Sequence, residues 1–337
     1  MTSHTVLSNT PVNELFTGLI RGHRASLSRA ITVVESKRSP IRRQLLQLVN
    51  EHNVRIKRPT LRLGISGAPG AGKSTFIETF GMNLIEKYNK SVAVLAVDPS
   101  SAINGGSILA DKTRMFHLSR HPKAFIRPSP SSGHMGGVTR TTSNAISLCE
   151  SAGYDVIIIE TVGVGQSEYE VSYLCDLMTL LVAPSGGDEL QAIKKGIIEM
   201  ANIIVVTKSD GDLVKHARKM SAEIKSATKF ISYVKRPQVL RCSAVTGEGI
   251  DDVWTQIQQS VESEDKKLEK RREQRVKQLK IGLINEFFIE LNRRIQLDKY
   301  ENLLKIDETV VVEDIIAKIF DEDLRYGFKD VNSMIDN

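Results

Sequence analysis

Gly67-Ala-Pro-Gly-Ala-Gly-Lys-Ser74 fills the pattern G-x-x-x-x-G-K-[ST] without a break. Before it, Leu61-Arg-Leu-Gly-Ile65 reads as a buried strand. After it, Thr75-Phe-Ile-Glu-Thr-Phe80 continues as an amphipathic helix. Strand, glycine-rich turn and helix together mark a phosphate-binding loop and not a chance turn. Glycines let backbone N–H groups curl around phosphate oxygens, and the helix N-terminus adds its positive end. The candidate nucleotide contacts are Gly67, Ala68, Pro69, Gly70, Ala71, Gly72, Lys73, Ser74 and Thr75. Lys73 is placed to reach the terminal phosphates, and the Ser74 hydroxyl to ligate Mg²⁺.

Outward from this loop, apolar runs alternate with helical patterns from residue 61 to about 260. Strands are expected at Leu61–Ile65, Val92–Val97, Ala124–Arg127, Val156–Ile159, Leu177–Val182, Ile203–Val206 and Val239–Cys242. Most are β-branched and apolar on both faces, as in a parallel sheet covered on both sides. The expected fold class is α/β, a doubly wound and mostly parallel P-loop sheet. Residues 1–10 read as a disordered tail, 11–58 as a helical extension, 59–261 as the nucleotide domain and 262–337 as a helical arm. In the arm, a charge-rich stretch from Glu264 to Arg272 leads into Val276, Leu279, Leu283, Phe287 and Leu291 at helical spacing. A further apolar helical segment is expected over Val310–Phe320. The arm either folds back on the core or forms a dimer contact.

Composition narrows the class. The chain has 337 residues, 41 % hydrophobic and 5 % aromatic, with net charge +6 and positive and negative residues interspersed. No clustered basic face with aromatics suggests nucleic acid as a partner. No apolar run approaches the ~18 residues of a membrane span, so no membrane is expected either. Cys149, Cys175 and Cys242 are far apart and form no pair motif, which suggests a reducing compartment and no structural zinc. The first twenty residues carry no Lys or Arg, unlike a secretory signal or an Arg-rich transit peptide.

The base is read elsewhere. Val205-Val-Thr-Lys-Ser-Asp210 fits [NT]-K-x-D at a strand end. A carboxylate at Asp210 accepts from the ring N–H and the exocyclic amine of guanine, a donor pair adenine lacks. The Lys208 stem can lie over the base plane. Cys242-Ser-Ala-Val-Thr-Gly-Glu-Gly249 resembles the second guanine loop, making Ser243, Ala244 and Val245 candidate contacts. The competing reading of Asp210 is a helix N-cap. Three carboxylates are candidates for the metal alongside Ser74. Asp98 closes a strand before Pro99, Asp111 follows in a connection, and Glu160 ends Val156-Ile-Ile-Ile-Glu160 in the manner of a Walker B strand. Their alternatives are a turn residue, a solvated loop charge and a strand-end surface carboxylate.

With these pieces placed, the chain resembles the P-loop GTPase chaperones of the methylmalonyl-CoA mutase-associated MeaB/MMAA (ArgK-type) family, within the SIMIBI group. The matching stretches are Gly64–Ser74, Ala96–Ser101, Gly105–Met115, Arg127–Pro130 with Gly136-Gly137, Glu160–Glu168 and Gly187–Gln191. The resemblance implies a homodimeric GTPase that uses GTP and Mg²⁺ to gate cofactor loading of adenosylcobalamin-dependent methylmalonyl-CoA mutase and to protect it. It implies Asp98, Asp111 and Glu160 as the metal carboxylates, with Lys73 and Glu160 catalytic. It also implies a moving loop over Ser185–Lys195 in which Asp188, Gln191 and Lys194 are the switch positions, with Lys194 also catalytic once the loop swings it to the phosphates. Eukaryotic members act in the mitochondrial matrix and bacterial ones in the cytoplasm. Thr207 departs from the Asn of bacterial members, and the arm matches by pattern only.

Rival readings are a nickel or cobalt metallochaperone GTPase, a small-molecule kinase, and a scaffold that binds nucleotide without turnover. The seven histidines are scattered, with only His117 and His121 at i, i+4. The paired guanine motifs argue against a kinase, and intact Lys73, Ser74 and Glu160 argue against a scaffold. No residue stands where a signalling GTPase holds its water-positioning Gln, so turnover is expected to be slow and partner-stimulated.

Overall fold

Among the described residues, seven strands form one all-parallel sheet. The computed structural model describes residues 10–36, 40–56, 59–98, 115–130, 137–161, 166–184, 195–229 and 236–295. The strands are β1 Leu61–Ser66, β2 Val92–Asp98, β3 Ala124–Pro130, β4 Val156–Thr161, β5 Leu177–Val182, β6 Ile203–Val206 and β7 Gln238–Arg241. Their order is β3-β2-β4-β1-β5-β6-β7. The described helices are α1 Pro11–Ile20, α2 Arg24–Glu35, α3 Arg42–Ile56, α4 Lys73–Glu86, α5 Phe116–Arg120, α6 Gly137–Ser151, α7 Gln166–Ser172, α8 Lys195–Met200, α9 Val214–Ala227, α10 Ile250–Ser260 and α11 Glu264–Ile295. All seven expected strands are present, within a few residues of the expected bounds.

The period of two along each strand sorts its side chains between two cores. Val92 and Val94 of β2 and Val156 and Ile158 of β4 join Phe76, Phe80 and Trp254 beneath α4 and α10. Their neighbours Ala93, Leu95, Ile157 and Ile159 face the other way, into a core with α1, α2, α3 and α6. Phe76 and Phe80 stack at 5.2 Å, and Phe80 meets Trp254 edge-on at 6.1 Å. Each such aromatic is worth about 1.5–3 kcal/mol of burial. This core fixes α4, and with it the loop that α4 terminates. A third cluster, with Ile204, Val206, Ala217 and Ile224, seats α9 against β5 and β6.

The chain divides into two compact units, residues 1–278 and 279–337. Within the first unit the start of α11 is held by polar groups, not by its apolar stripe. Arg271 makes two bonds to the Asp176 carboxylate, at 2.6 and 2.8 Å, and a third to the Thr60 carbonyl. Gln274 donates to the Cys175 carbonyl at 2.8 Å. Lys267 and Gln274 are buried, whereas Val276 is exposed. The tail, the Val310–Phe320 segment and much of the expected arm lie outside the described residues.

Candidate nucleotide site

The carboxyl ends of β1, β4, β5 and β6 converge where the strand order splits on either side of β1. That crevice is where doubly wound sheets hold ligands. The phosphate loop leaves β1 here. A Cβ on Gly67 would come within 2.4 Å of the Leu181 carbonyl oxygen, so only glycine lets the loop pass β5. Gly72 adopts φ +83° immediately before α4, a left-handed turn that suits glycine and aims the first free N–H groups of α4 into the loop. Ala71 N–H donates to the Ala68 carbonyl at 3.0 Å and closes the turn.

Lys73 lies along this loop. Its ammonium donates to the carbonyls of Gly67 at 2.6 Å and Ala68 at 3.1 Å. Burial lowers its pKa, while the charges of Glu160 and Glu168 oppose that shift. A polyanion delivered here meets a partly desolvated cation whose present partners are neutral carbonyls. Ser74 follows, and its hydroxyl donates to Glu160 Oε1 at 3.4 Å. Glu160 pairs in register with Ile65 of β1 and Ala96 of β2, and is 8 % exposed. A hydroxyl and a carboxylate oxygen side by side are the hard donors that Mg²⁺ selects, so Ser74 and Glu160 fit that ion. Asp98 ends β2 at the same edge of the sheet. Its side chain, Asp111 and the loop positions Asp188, Gln191 and Lys194 lie outside the described residues.

The guanine-reading segments are tied to the phosphate loop by bonds that no motif spells out. Thr207 is buried, and its hydroxyl lies 2.7 Å from the Ala71 carbonyl and 3.2 Å from the Val182 carbonyl. It therefore bridges the end of β6 to the phosphate loop, a task that Thr performs as a hydroxyl donor. Lys208 takes a left-handed φ of +51°. Its Cε sits 3.8 Å from where a Cβ on Gly72 would stand, which lays its stem beside the loop. Asp210 precedes a short 3-10 turn but makes no side-chain cap bond to it, so the N-cap alternative does not describe it. Its Oδ2 accepts instead from the Ser243 hydroxyl. Ser243 Oγ in turn accepts from the N–H groups of Val245 at 3.2 Å and Thr246 at 3.1 Å. Ala244 presents its carbonyl to Thr79 of α4 at 2.7 Å, and the Val245 side chain is exposed. Phosphate loop, Thr207–Asp210 and Ser243–Val245 thus form one connected frame.

Sequence reading passed over Thr207 as a functional position and gave Glu168 no role. Glu168 is fully buried on α7 and accepts from Thr161 Oγ1 at 3.4 Å. Its neighbours in Gln166-Ser-Glu-Tyr-Glu-Val-Ser172 are mostly polar, so periodicity gives no signal for its burial. Of the two histidines spaced i, i+4, His117 lies in α5 edge-on to Phe116, and His121 caps the end of α5 and accepts from the Lys123 N–H. Among the described residues, no group of three or more His, Cys, Asp or Glu could hold a metal ion. The three cysteines are free and buried, and burial pushes the Cys242 thiol up to about 12.

A parallel sheet with a phosphate loop at its switch point and a Thr-Lys-x-Asp strand end defines a P-loop nucleotide-binding protein. The family model described as methylmalonyl Co-A mutase-associated GTPase MeaB matches residues 27–294, and the chain belongs to that GTPase family. Among curated relatives, the chain is 54 % identical over 256 residues to the mouse protein "Methylmalonic aciduria type A homolog, mitochondrial", covering 72 % of this chain and 61 % of the relative. It is 49 % identical over 280 residues to the Caenorhabditis elegans protein of the same description, covering 79 % and 70 %. It is 48 % identical over 248 residues to the Escherichia coli GTPase ArgK, covering 71 % and 72 %. The match thus spans about three fifths of the mouse protein's length. Among solved structures, one described as an LAO/AO transport system kinase superposes with a TM-score of 0.73 at 33 % identity, covering 99 % of this chain and 100 % of its own.

Proposed function

We propose that this protein binds GTP and GDP with Mg²⁺ and hydrolyses GTP slowly, as a chaperone of adenosylcobalamin-dependent methylmalonyl-CoA mutase. The observation that carries the nucleotide half is the frame joining Lys73, Thr207, Ser243 and Asp210, in a chain of this family. Loop N–H groups and Lys73 hold the phosphates. Ser74 and Glu160, with Asp98 and Asp111, would hold Mg²⁺, which when bound offsets charge on the transferring phosphoryl group. Asp210 selects guanine, while Ser243 keeps its carboxylate aimed. The partner half rests on the family and on relatives whose names refer to methylmalonic aciduria. In this reading GTP gates loading of the mutase cofactor and guards the loaded enzyme. Asp188, Gln191 and Lys194 couple the partner to hydrolysis.

The arm supplies self-association in this reading. Leu279 and Leu283 of the second unit are large exposed apolar side chains. Such side chains in a row suit a homodimer contact. The compartment follows the source: mitochondrial matrix in a eukaryote, cytoplasm in a bacterium. The solved structure described as a kinase supplies the second reading, phosphoryl transfer to a small molecule. One experiment separates them. Terminally labelled GTP is incubated with the protein, with and without the mutase, and the label is followed. Inorganic phosphate released faster with the mutase present supports the chaperone reading. Label on a small molecule, or no response to the mutase, refutes it.

A further inference from the structure

At the base of the phosphate loop lies a small void into which three polar side chains and several apolar ones face. Ser66 ends β1 one residue before Gly67. Thr179 of β5 pairs in register with Ile65, beside it. Glu168 projects from the first turn of α7. Their exposures are 2 %, 1 % and 0 %. The three line a cavity of about 10 Å³ together with Met178 and Leu180 of β5 and Ile197 and Met200 of α8. Ser66 Oγ and Thr179 Oγ1 are buried, and neither has a hydrogen-bond partner among the described residues. Thr161 Oγ1, which donates to Glu168 Oε1, also lies 3.5 Å from the Ile65 carbonyl of β1.

Two buried hydroxyls without partners are costly. A water needs roughly 10–15 Å³ and two to four polar partners. This cavity has that volume and three polar linings, two of them donors and one an acceptor. We infer that one ordered water occupies it, bridging the Ser66 and Thr179 hydroxyls to the Glu168 carboxylate, and that Glu168 is thereby a positioning residue for the phosphate loop and Lys73. The water holds the base of the loop against α7, and α7 follows the strand that carries Glu160. The Glu168 charge favours the Lys73 ammonium, which burial opposes. The cavity also borders α8, so displacement of α8 would disturb the bridge. The inference rests on the GTPase reading above for its catalytic half only.

Two variants of the full chain test it. Thr179→Val keeps the shape and deletes one hydroxyl. If that hydroxyl holds the water, the melting temperature falls, by about 2–4 °C for a loss near one hydrogen bond. A rise in melting temperature means an unpartnered group has been removed, and overturns the water. Glu168→Gln keeps the volume and removes the charge. Turnover is normalised to GDP-binding stoichiometry, so that misfolded protein does not count. The expected result is kcat for GTP lowered about tenfold, with KM and GDP affinity within threefold. An unchanged normalised kcat overturns the positioning role. Absence of any GTP turnover in the wild type removes that role together with the GTPase reading, while the Thr179→Val melt still decides the water.

Discussion

Asp210→Asn tests whether the guanine frame does what its bonds suggest. The carboxylate is half-buried, and its Oδ2 takes the Ser243 proton. Ser243 Oγ is itself fixed by two backbone N–H groups, so its hydroxyl is directed at Asp210. The acceptor is therefore set before any base arrives, and little ordering entropy is spent on binding. Guanine brings two donors to it, the ring N–H and the exocyclic amine. Hydrogen bonds to a charged group are worth about 1.5–3 kcal/mol each. Two of them amount to about 3–6 kcal/mol, or roughly 10²- to 10⁴-fold in affinity. The amide in Asp210→Asn offers a donor where guanine's amine also needs an acceptor. Xanthine carries a carbonyl oxygen at that position and accepts from the amide. GDP affinity should fall by about 10²-fold or more, and xanthosine diphosphate should bind the variant better than GDP. Displacement of a fluorescent guanine nucleotide by GDP, xanthosine diphosphate and ADP measures all three. If wild type binds ADP as tightly as GDP, or the variant holds GDP within tenfold of wild type, Asp210 does not read the base.

Lys73→Ala should abolish hydrolysis or weaken nucleotide binding, and Glu160→Ala should lower Mg²⁺-dependent turnover by about 10²-fold while sparing GDP affinity; single-turnover assays across Mg²⁺ concentrations resolve the two. Thr207→Val deletes the 2.7 Å contact to Ala71, so it should cost about 1–3 kcal/mol of stability and weaken GDP, read by melting with and without nucleotide. Arg271→Met leaves the Asp176 carboxylate, whose side chain is 5 % exposed, without its bidentate partner, and should cost about 3 kcal/mol at neutral pH. Burial raises the Asp176 pKa, but Arg271 and the Arg62 N–H outweigh it and hold the carboxyl below its ordinary value. A lowered folded pKa gives stability that is present above the ordinary carboxylate range and is lost as pH falls through the folded value. The gap between Arg271→Met and wild type should therefore close in acid, and a constant gap down to pH 3 would contradict the pair. Lys194→Ala should leave basal turnover intact and remove stimulation by the mutase, and equal stimulation of variant and wild type would reduce Lys194 to a solvated charge.

The sheet was legible because its strands are buried on both faces. A run such as Val156–Ile159 has no polar residue to hide, so pattern alone located it, and its neighbours by the same logic. Strand order was not legible, because every strand here reads as apolar and only the registers distinguish neighbours. The start of α11 shows the opposite case. Its charge-rich sequence suggests a solvated face, yet Arg271, Lys267 and Gln274 are inside. They are inside because each finds a partner: the Asp176 carboxylate for Arg271, the Glu264 carboxylate for Lys267, and the Ser172 and Cys175 carbonyls for Gln274. Periodicity measures hydrophobicity and cannot see that complement. A cut at residue 262 would strip Arg271 from Asp176 as well as remove the apolar stripe.

The site divides along the same line. Residues that must touch a ligand at fixed spacing, such as Gly67 to Ser74 and Lys208 to Asp210, announce themselves, because the ligand's geometry constrains neighbours in sequence. Residues that hold those groups in place are constrained only by what lies across space. Thr207 needs a hydroxyl because Ala71, 136 residues away, presents a carbonyl at 2.7 Å. Ser243 matters because Asp210, 33 residues earlier, needs one oxygen fixed. The first position of the guanine motif read as a departure when compared with Asn, yet Thr supplies the donor the bridge requires. A motif letter is thus better judged by the bond it must make than by its frequency. By that standard Thr207 is as much part of the nucleotide frame as the loop it holds.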